Sequence, residues 1–178
     1  LSLTLQPYLG QVFEMKGKRT DLGTADCAIA RSLQVIGDWW SLLIVRESFL
    51  GRQRFGEFQK SLGLAKNILS TRLKKLVQEG ILSVEAESPT RNRYVLTEKG
   101  RRLYVVLIAL WQWGEDTCFD GDELSSAMVD GEARLPLAKL EPRARDGRPV
   151  GPSDFVLARK ADIGFRHDAL PTDRDRTG

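Results

Sequence analysis

Residues 51–100 read GRQRFGEFQKSLGLAKNILSTRLKKLVQEGILSVEAESPTRNRYVLTEKG. Two helical patterns, a turn and a basic hairpin follow one another here without a gap. Gly56 to Leu62 reads as a brief helix broken at Gly63, and Ala65 to Gln78 as the strongest helix in the chain, with Gly80 as its C′ residue. In that second helix Leu69, Leu73 and Leu76 fall on one stripe. The 100° step per residue then places Asn67, Thr71, Lys74, Lys75 and Gln78 on the opposite side. Ile81 to Glu87 and Arg93 to Leu96 read as two strands joined by SPTRN, where Pro89 and Asn92 supply turn chemistry. Helix, turn, helix and hairpin in this order are what a winged helix-turn-helix needs, so duplex DNA is the leading candidate ligand.

The polar face carries amides, hydroxyls and ammonium groups, with no acid before Glu79. Asn67, Ser70 and Thr71 are the candidates for base-edge contact. Lys66, Arg72, Lys74 and Lys75, with Arg91 or Arg93 at the hairpin tip and return strand, are the candidates for phosphate. An ordinary solvated helix would also be polar, but such surfaces usually mix both signs. The whole chain has a formal charge of only +3, yet Lys60 to Arg102 holds 10 Lys/Arg against 4 Asp/Glu, while Asp120 to the end holds 10 against 12. The basic excess sits where the motif sits, and a patch of that sign favours polyanions.

Working outward, Thr24 can cap a short helix from Ala25 to Val35, with Ile29 and Leu33 on one face. Asp38 can cap a second helix that runs through Trp39, Trp40, Leu43, Ile44 and Glu47 to a stop at Gly51; its wide apolar face makes it central. Beyond the hairpin, Thr97 caps a helix with Lys99, Arg101 and Arg102 in its first turn, continuing through LYVVLIALWQWGEDTCF. Leu103, Val106, Leu107, Leu110 and Trp111 or Trp113 recur at helical spacing, more apolar residues than one helix face of a small domain must bury. The surplus suggests a partner subunit. The expected fold is therefore mainly α with a small β-wing, plus a small β-rich C-terminal extension. Its parts are an arm over 1–23, a DNA-binding and dimerisation domain over 24–119 and an extension over 120–178. Asp146-Gly147 between short alternating runs suggests a hairpin in that extension, and the last ten or so residues, rich in Asp, Arg and Thr, read as disordered.

At 178 residues and 42% hydrophobic, the chain can bury one proper core. Cys27 and Cys118 are too few and too far apart for a disulfide framework, and no apolar run approaches the ~18 residues a membrane span needs. The opening LSLTLQPYLGQVFE lacks a basic n-region and a cleavage site, so a cytoplasmic protein is expected. Met15 is the first methionine; the natural start lies there, or the stretch before it is an added arm.

The segments CAIARSLQVIGDWWSLLIVRE from Cys27, GRQRFGEF, LSTRLKKLVQEGIL, YVLTEKG and ALWQWG resemble, in order and spacing, the HxlR-type winged helix-turn-helix transcriptional regulators, within the MarR-like superfamily. The likeness runs from Cys27 to about Phe119. It implies a homodimer in which the N-terminal helix and the helix after the wing pack together, through Ile29, Leu33, Val106, Leu107, Leu110 and Trp111. Two recognition helices would then face successive major grooves of a pseudo-palindromic operator, ~34 Å apart. The chain departs from the pattern at Ala65, where a hydroxyl residue usually caps the recognition helix, and at Asn92-Arg93, where a hydrophobic-acidic pair is frequent.

Cys27 matches the cysteine with which several members sense electrophiles or oxidants. A place in the first helical turn, with Arg31 one turn on, favours thiolate; Asp26 opposes it. The competing reading is a small buried hydrophobe at the dimer seam, and Cys118 reads as packing. An enzyme is not expected: His167 is the only histidine, two cysteines about ninety residues apart make no zinc site, and no phosphate-binding glycine loop is present. No cofactor or metal is expected. Two alternatives stay open: a winged helix used for protein contacts, and a regulator sensing a small-molecule effector through the dimer interface or the extension.

Overall fold

Three leucines spaced along one helix decide where the core forms. The computed structural model describes residues 21–89, 91–121 and 123–163. Within them run α1 (Ala28–Ile36), α2 (Trp39–Phe49), α3 (Phe55–Leu62), α4 (Lys66–Gln78), β1 (Leu82–Ser88), β2 (Arg91–Leu96), α5 (Glu98–Arg101), α6 (Tyr104–Thr117) and a 3₁₀ turn (Lys160–Ile163). Leu69, Leu73 and Leu76 of α4 are sealed from solvent and meet Ile44 and Val45 of α2, Phe58 of α3, Leu64 of the turn, and Ile81 and Leu82 at the start of β1. The chain divides into two compact units, one ending at Cys118 and the other starting at Phe119. The opening arm through residue 20, the expected disordered end and His167 lie outside the described residues.

Local chemistry sets the boundaries. Asp38 caps α2 by accepting from Ser41 N at 2.9 Å, supplying one of the acceptors that a first helical turn lacks. Gly63, with φ of 65°, ends α3, and Gly80, with φ of 67°, follows α4; both use the left-handed region that glycine enters without strain. β1 and β2 pair antiparallel from Leu82↔Leu96 to Ser88↔Arg91, with an irregularity between Ala86 and Ser88 that turns the tip. Tyr94 N donates to the Gln53 carbonyl at 2.7 Å, and the Tyr94 ring meets Phe58 edge-on, so the wing leans on the link before α3.

Three expectations need correction. α1 begins at Ala28 rather than Ala25, with Cys27 in the N-cap position and not Thr24. The reason is a turn just before it, in which Ala25 N donates to Leu22 O and the Ala25 carbonyl is taken by Arg31 Nε at 2.6 Å. The helix after the wing is two pieces, because Leu103 N bonds back to Gly100 O, three residues away, and tightens the backbone between α5 and α6. In the extension the expected strands shrink to two isolated antiparallel bridges, Val129↔Pro136 and Arg143↔Pro149. Proline at each bridge has no N–H to continue a ladder. The turn at Asp146-Gly147 does form, with Gly147 at φ of 84° and Ala144 N donating to Arg148 O.

Gly100, buried in α5, sits so close to the Ile81 carbonyl that an added Cβ would fall inside its contact radius. Since the obstacle is backbone, Gly100→Ala should cost about 1–3 kcal/mol of stability, read as a lowered urea midpoint at unchanged slope.

Candidate nucleic-acid interface

With its leucine stripe fixed in the core, α4 turns the other side outward. Lys66, Asn67, Ser70, Thr71, Lys74 and Gln78 lie on or beside that side, and all six are exposed. The Thr71 hydroxyl donates to the Asn67 carbonyl at 2.8 Å, so its outward contribution is the oxygen lone pair and the methyl group. Ala65, the N-cap, makes no side-chain cap, which leaves the first N–H groups of α4 without that acceptor.

The cations fall into two groups. Among the described residues no ion pair engages Lys66 or Lys74. Arg72 and Lys75, expected on the phosphate side, are half-buried and share Asp38: Arg72 Nε lies 3.3 Å from Oδ1 and Lys75 Nζ 3.7 Å from Oδ2. On the wing, Arg91 is exposed at the tip and Arg93 pairs across the strands with Glu85 at 2.6 Å.

Two polar networks that sequence reading missed support these surfaces. Near the tip of the wing, Arg54 bonds Glu87 of β1, and it also pairs with Glu57 of α3. Backbone hydrogen bonds from Gln53 and Arg54 lower the Glu57 pKa, and the Arg54 guanidinium lowers that of Glu87. Under α3, the buried Glu47 carboxylate accepts from Arg46 and from the Ser61 hydroxyl, with Arg52 Nε at 3.0 Å. Burial pushes its pKa up, but Ser61, Arg46 and Arg52 outweigh this and the net direction is down. The Arg52-to-Arg54 link carries a hint, three residues with two arginines between helices, but the acids that meet them come from distant positions.

Elsewhere on the first unit, α1 and α6 display Ile29 (71% exposed), Leu33 (51%), Tyr104, Val105, Val106, Leu110 (47%) and Trp113 (63%), while Leu107 and Trp111 are half-buried. Cys27 and Cys118 are both exposed, so neither is a core residue of the described chain. No helix among the described residues is long and apolar enough to cross a membrane.

Comparison with known proteins agrees with this geometry. A model of the HxlR-like helix-turn-helix matches residues 35–121. An uncharacterized HTH-type transcriptional regulator of Synechocystis sp., sll1512, is 37% identical over 109 residues, covering 60% of this chain and 80% of that protein. The chain belongs to the HxlR-like helix-turn-helix family. An uncharacterized HTH-type regulator of Mycobacterium tuberculosis, Rv3095, is 40% identical over 91 residues, half of this chain, and the chain spans 58% of that relative's length. The crystal structure of PA1607, described as a candidate transcription factor, is 49% identical, with a TM-score of 0.75, and covers 79% of this chain and 99% of its own. A second candidate factor, PA1374 of Pseudomonas aeruginosa, gives 37%, 0.56, 75% and 92%. Both spans exceed the first unit, so these likenesses reach into the extension as well.

A carboxylate whose native pKa is lowered adds stability in full above its ordinary value, 4.5 for Glu47, and that stability is lost as pH falls through the lowered one. Glu47→Gln should therefore lose stability near neutrality, by about 1–3 kcal/mol, and show a shallower decline than the wild type below pH ~4.5. Urea midpoints measured across the acid range check both.

Proposed function

We propose that this chain is a cytoplasmic transcriptional regulator that binds double-stranded DNA sequence-specifically as a homodimer. The observation that carries the reading is the outward face of α4, a polar and basic surface without an acid, on a helix whose opposite face is locked in the core. Asn67, Ser70 and Thr71 are assigned to base edges; Lys66, Lys74, Arg91 and Arg93 to phosphates. Family membership and the regulator names of its relatives support the same class and argue against an enzyme. A winged helix specialised for protein contacts would present apolar side chains there, whereas Ile68, at 40%, is the only exposed large apolar residue of α4.

The exposed apolar residues of α1 and α6 support the dimer. Ile29, Leu33, Val106, Leu107, Leu110 and Trp111 are assigned to it, with Trp113 added from its exposure. The partner is a second copy, which brings two α4 helices to one operator. Control by an oxidant or another effector belongs to the same proposal, because Cys27 is exposed at the N-cap of α1, the helix that carries Ile29 and Leu33. A modified thiol there would act on the dimerising element directly.

Two experiments test these assignments. Lys74→Ala should weaken binding to all duplexes alike and reduce the log–log salt slope by about one, while Asn67→Ala should alter sequence preference, with ~1–3 kcal/mol at stake. Unaltered slope and preference in folded variants would defeat the DNA reading of α4. Cys27→Ser should abolish the response of operator affinity to diamide or quinone, and a response equal to the wild type's would remove Cys27 as the sensor.

A further inference from the structure

One carboxylate at the N-terminus of α2 faces three groups. Asp38 Oδ1 accepts from Ser41 N at 2.9 Å and Oδ2 from the Ser41 hydroxyl at 2.7 Å, while Arg72 and Lys75 of α4 approach the same two oxygens at 3.3 and 3.7 Å. Arg72 Nε is shut off from solvent and makes no aligned hydrogen bond, so the nearby Oδ1 is its compensating charge. Arg72 and Lys75 stand three apart in α4 and line the edge between its buried leucines and its outward face. They differ from Lys66 and Lys74, for which the described residues provide no counter-charge.

We propose that Asp38 is a specificity-determining residue: it holds Arg72 and Lys75 against α2, fixing the pose of α4 and keeping two cations out of sequence-blind phosphate contact. This rests on the DNA-binding reading above. A cation that reaches any phosphate adds affinity for every duplex equally, and counterion release makes that contribution ~0.9 in the log–log salt slope. Specific affinity comes instead from base edges met at one orientation of the helix. A carboxylate at the margin of α4 serves both ends. It subtracts indiscriminate attraction, and it ties the reading helix to α2 in the core.

The test uses the full chain with Asp38→Asn. Asparagine is as good an N-cap as aspartate, so α2 keeps its cap while the charge is lost. Binding to a short random-sequence duplex is titrated against KCl, beside a duplex selected by the wild type. The expected result is several-fold tighter binding to random duplex at low salt, a slope steeper by about one to two, and a smaller ratio of selected to random affinity. A folded variant with unchanged or weaker random-duplex binding and an unchanged slope overturns the proposal. Asp38→Ser, which also caps, repeats the measurement; if both variants unfold, the carboxylate serves the fold alone and the proposal falls. A wild type that binds no duplex removes the DNA reading and this inference together, whereas a binding wild type with unresponsive variants removes only this inference.

Discussion

Everything outward-facing on α4 depends on the burial of Leu69, Leu73 and Leu76 beneath it. Fully burying a leucine stabilises by roughly 1.5–3 kcal/mol, so three on one stripe resist rotation of the helix strongly. A turn of the helix about its own axis would expose leucine and bury lysine at once. The orientation of Asn67, Ser70, Thr71 and Lys74 is therefore set by hydrophobic packing, without any contact of their own to the core. Ala65 offers no side-chain cap to aid the helix start, which places more of that task on Leu64 and Leu69 in the core.

Around this frame the charges are divided between binding a polyanion and holding elements together. Arg54, Arg72 and Arg93 all have carboxylate partners, on Glu57 and Glu87, Asp38, and Glu85 respectively. The exposed pairs among these, at Arg54 and Arg93, contribute little stability each. The value of all these pairs lies in geometry: Arg54 ties the wing to α3, and Asp38 ties α4 to α2. The basic excess counted along residues 60–102 thus overstates the positive charge available to a ligand, since part of it already has a partner within the fold.

The wing and the two helices before it are legible in the sequence because each has a local signature: leucines at helical spacing, glycines at the ends, alternating strands around a proline turn. Asp38 as a cap is legible for the same reason. Its reach to Arg72 and Lys75 is not, because that pairing depends on the crossing of α2 and α4, which no spacing in the chain encodes. The same holds for Glu47, which looks like a surface acid in an amphipathic helix and is instead buried against Ser61, fourteen residues away. The start of α1 shifts because Thr24 is a good cap by type, while the turn formed by Leu22 and Ala25 uses the backbone first. The break between α5 and α6 leaves no trace in composition. In the extension, the prolines that reduce strands to single bridges are visible, but their positions relative to a partner strand are not.

The end of α4 is fastened to the segment that begins at Thr97, on the far side of the wing. Thr97 donates its hydroxyl to the Gly80 carbonyl at 2.6 Å, Lys99 Nζ reaches the Glu79 carbonyl at 2.6 Å, and Gly100 rests against Ile81. These bonds close a loop of chain whose outermost part is the β-hairpin, so the hairpin is a side branch and not a link in the load path. In a dimer seamed through α6, a tilt of that helix would pass straight across the staple into α4. On the proposed DNA-binding reading, a change in the length of the hairpin tip would then leave the distance between the two α4 helices unaltered.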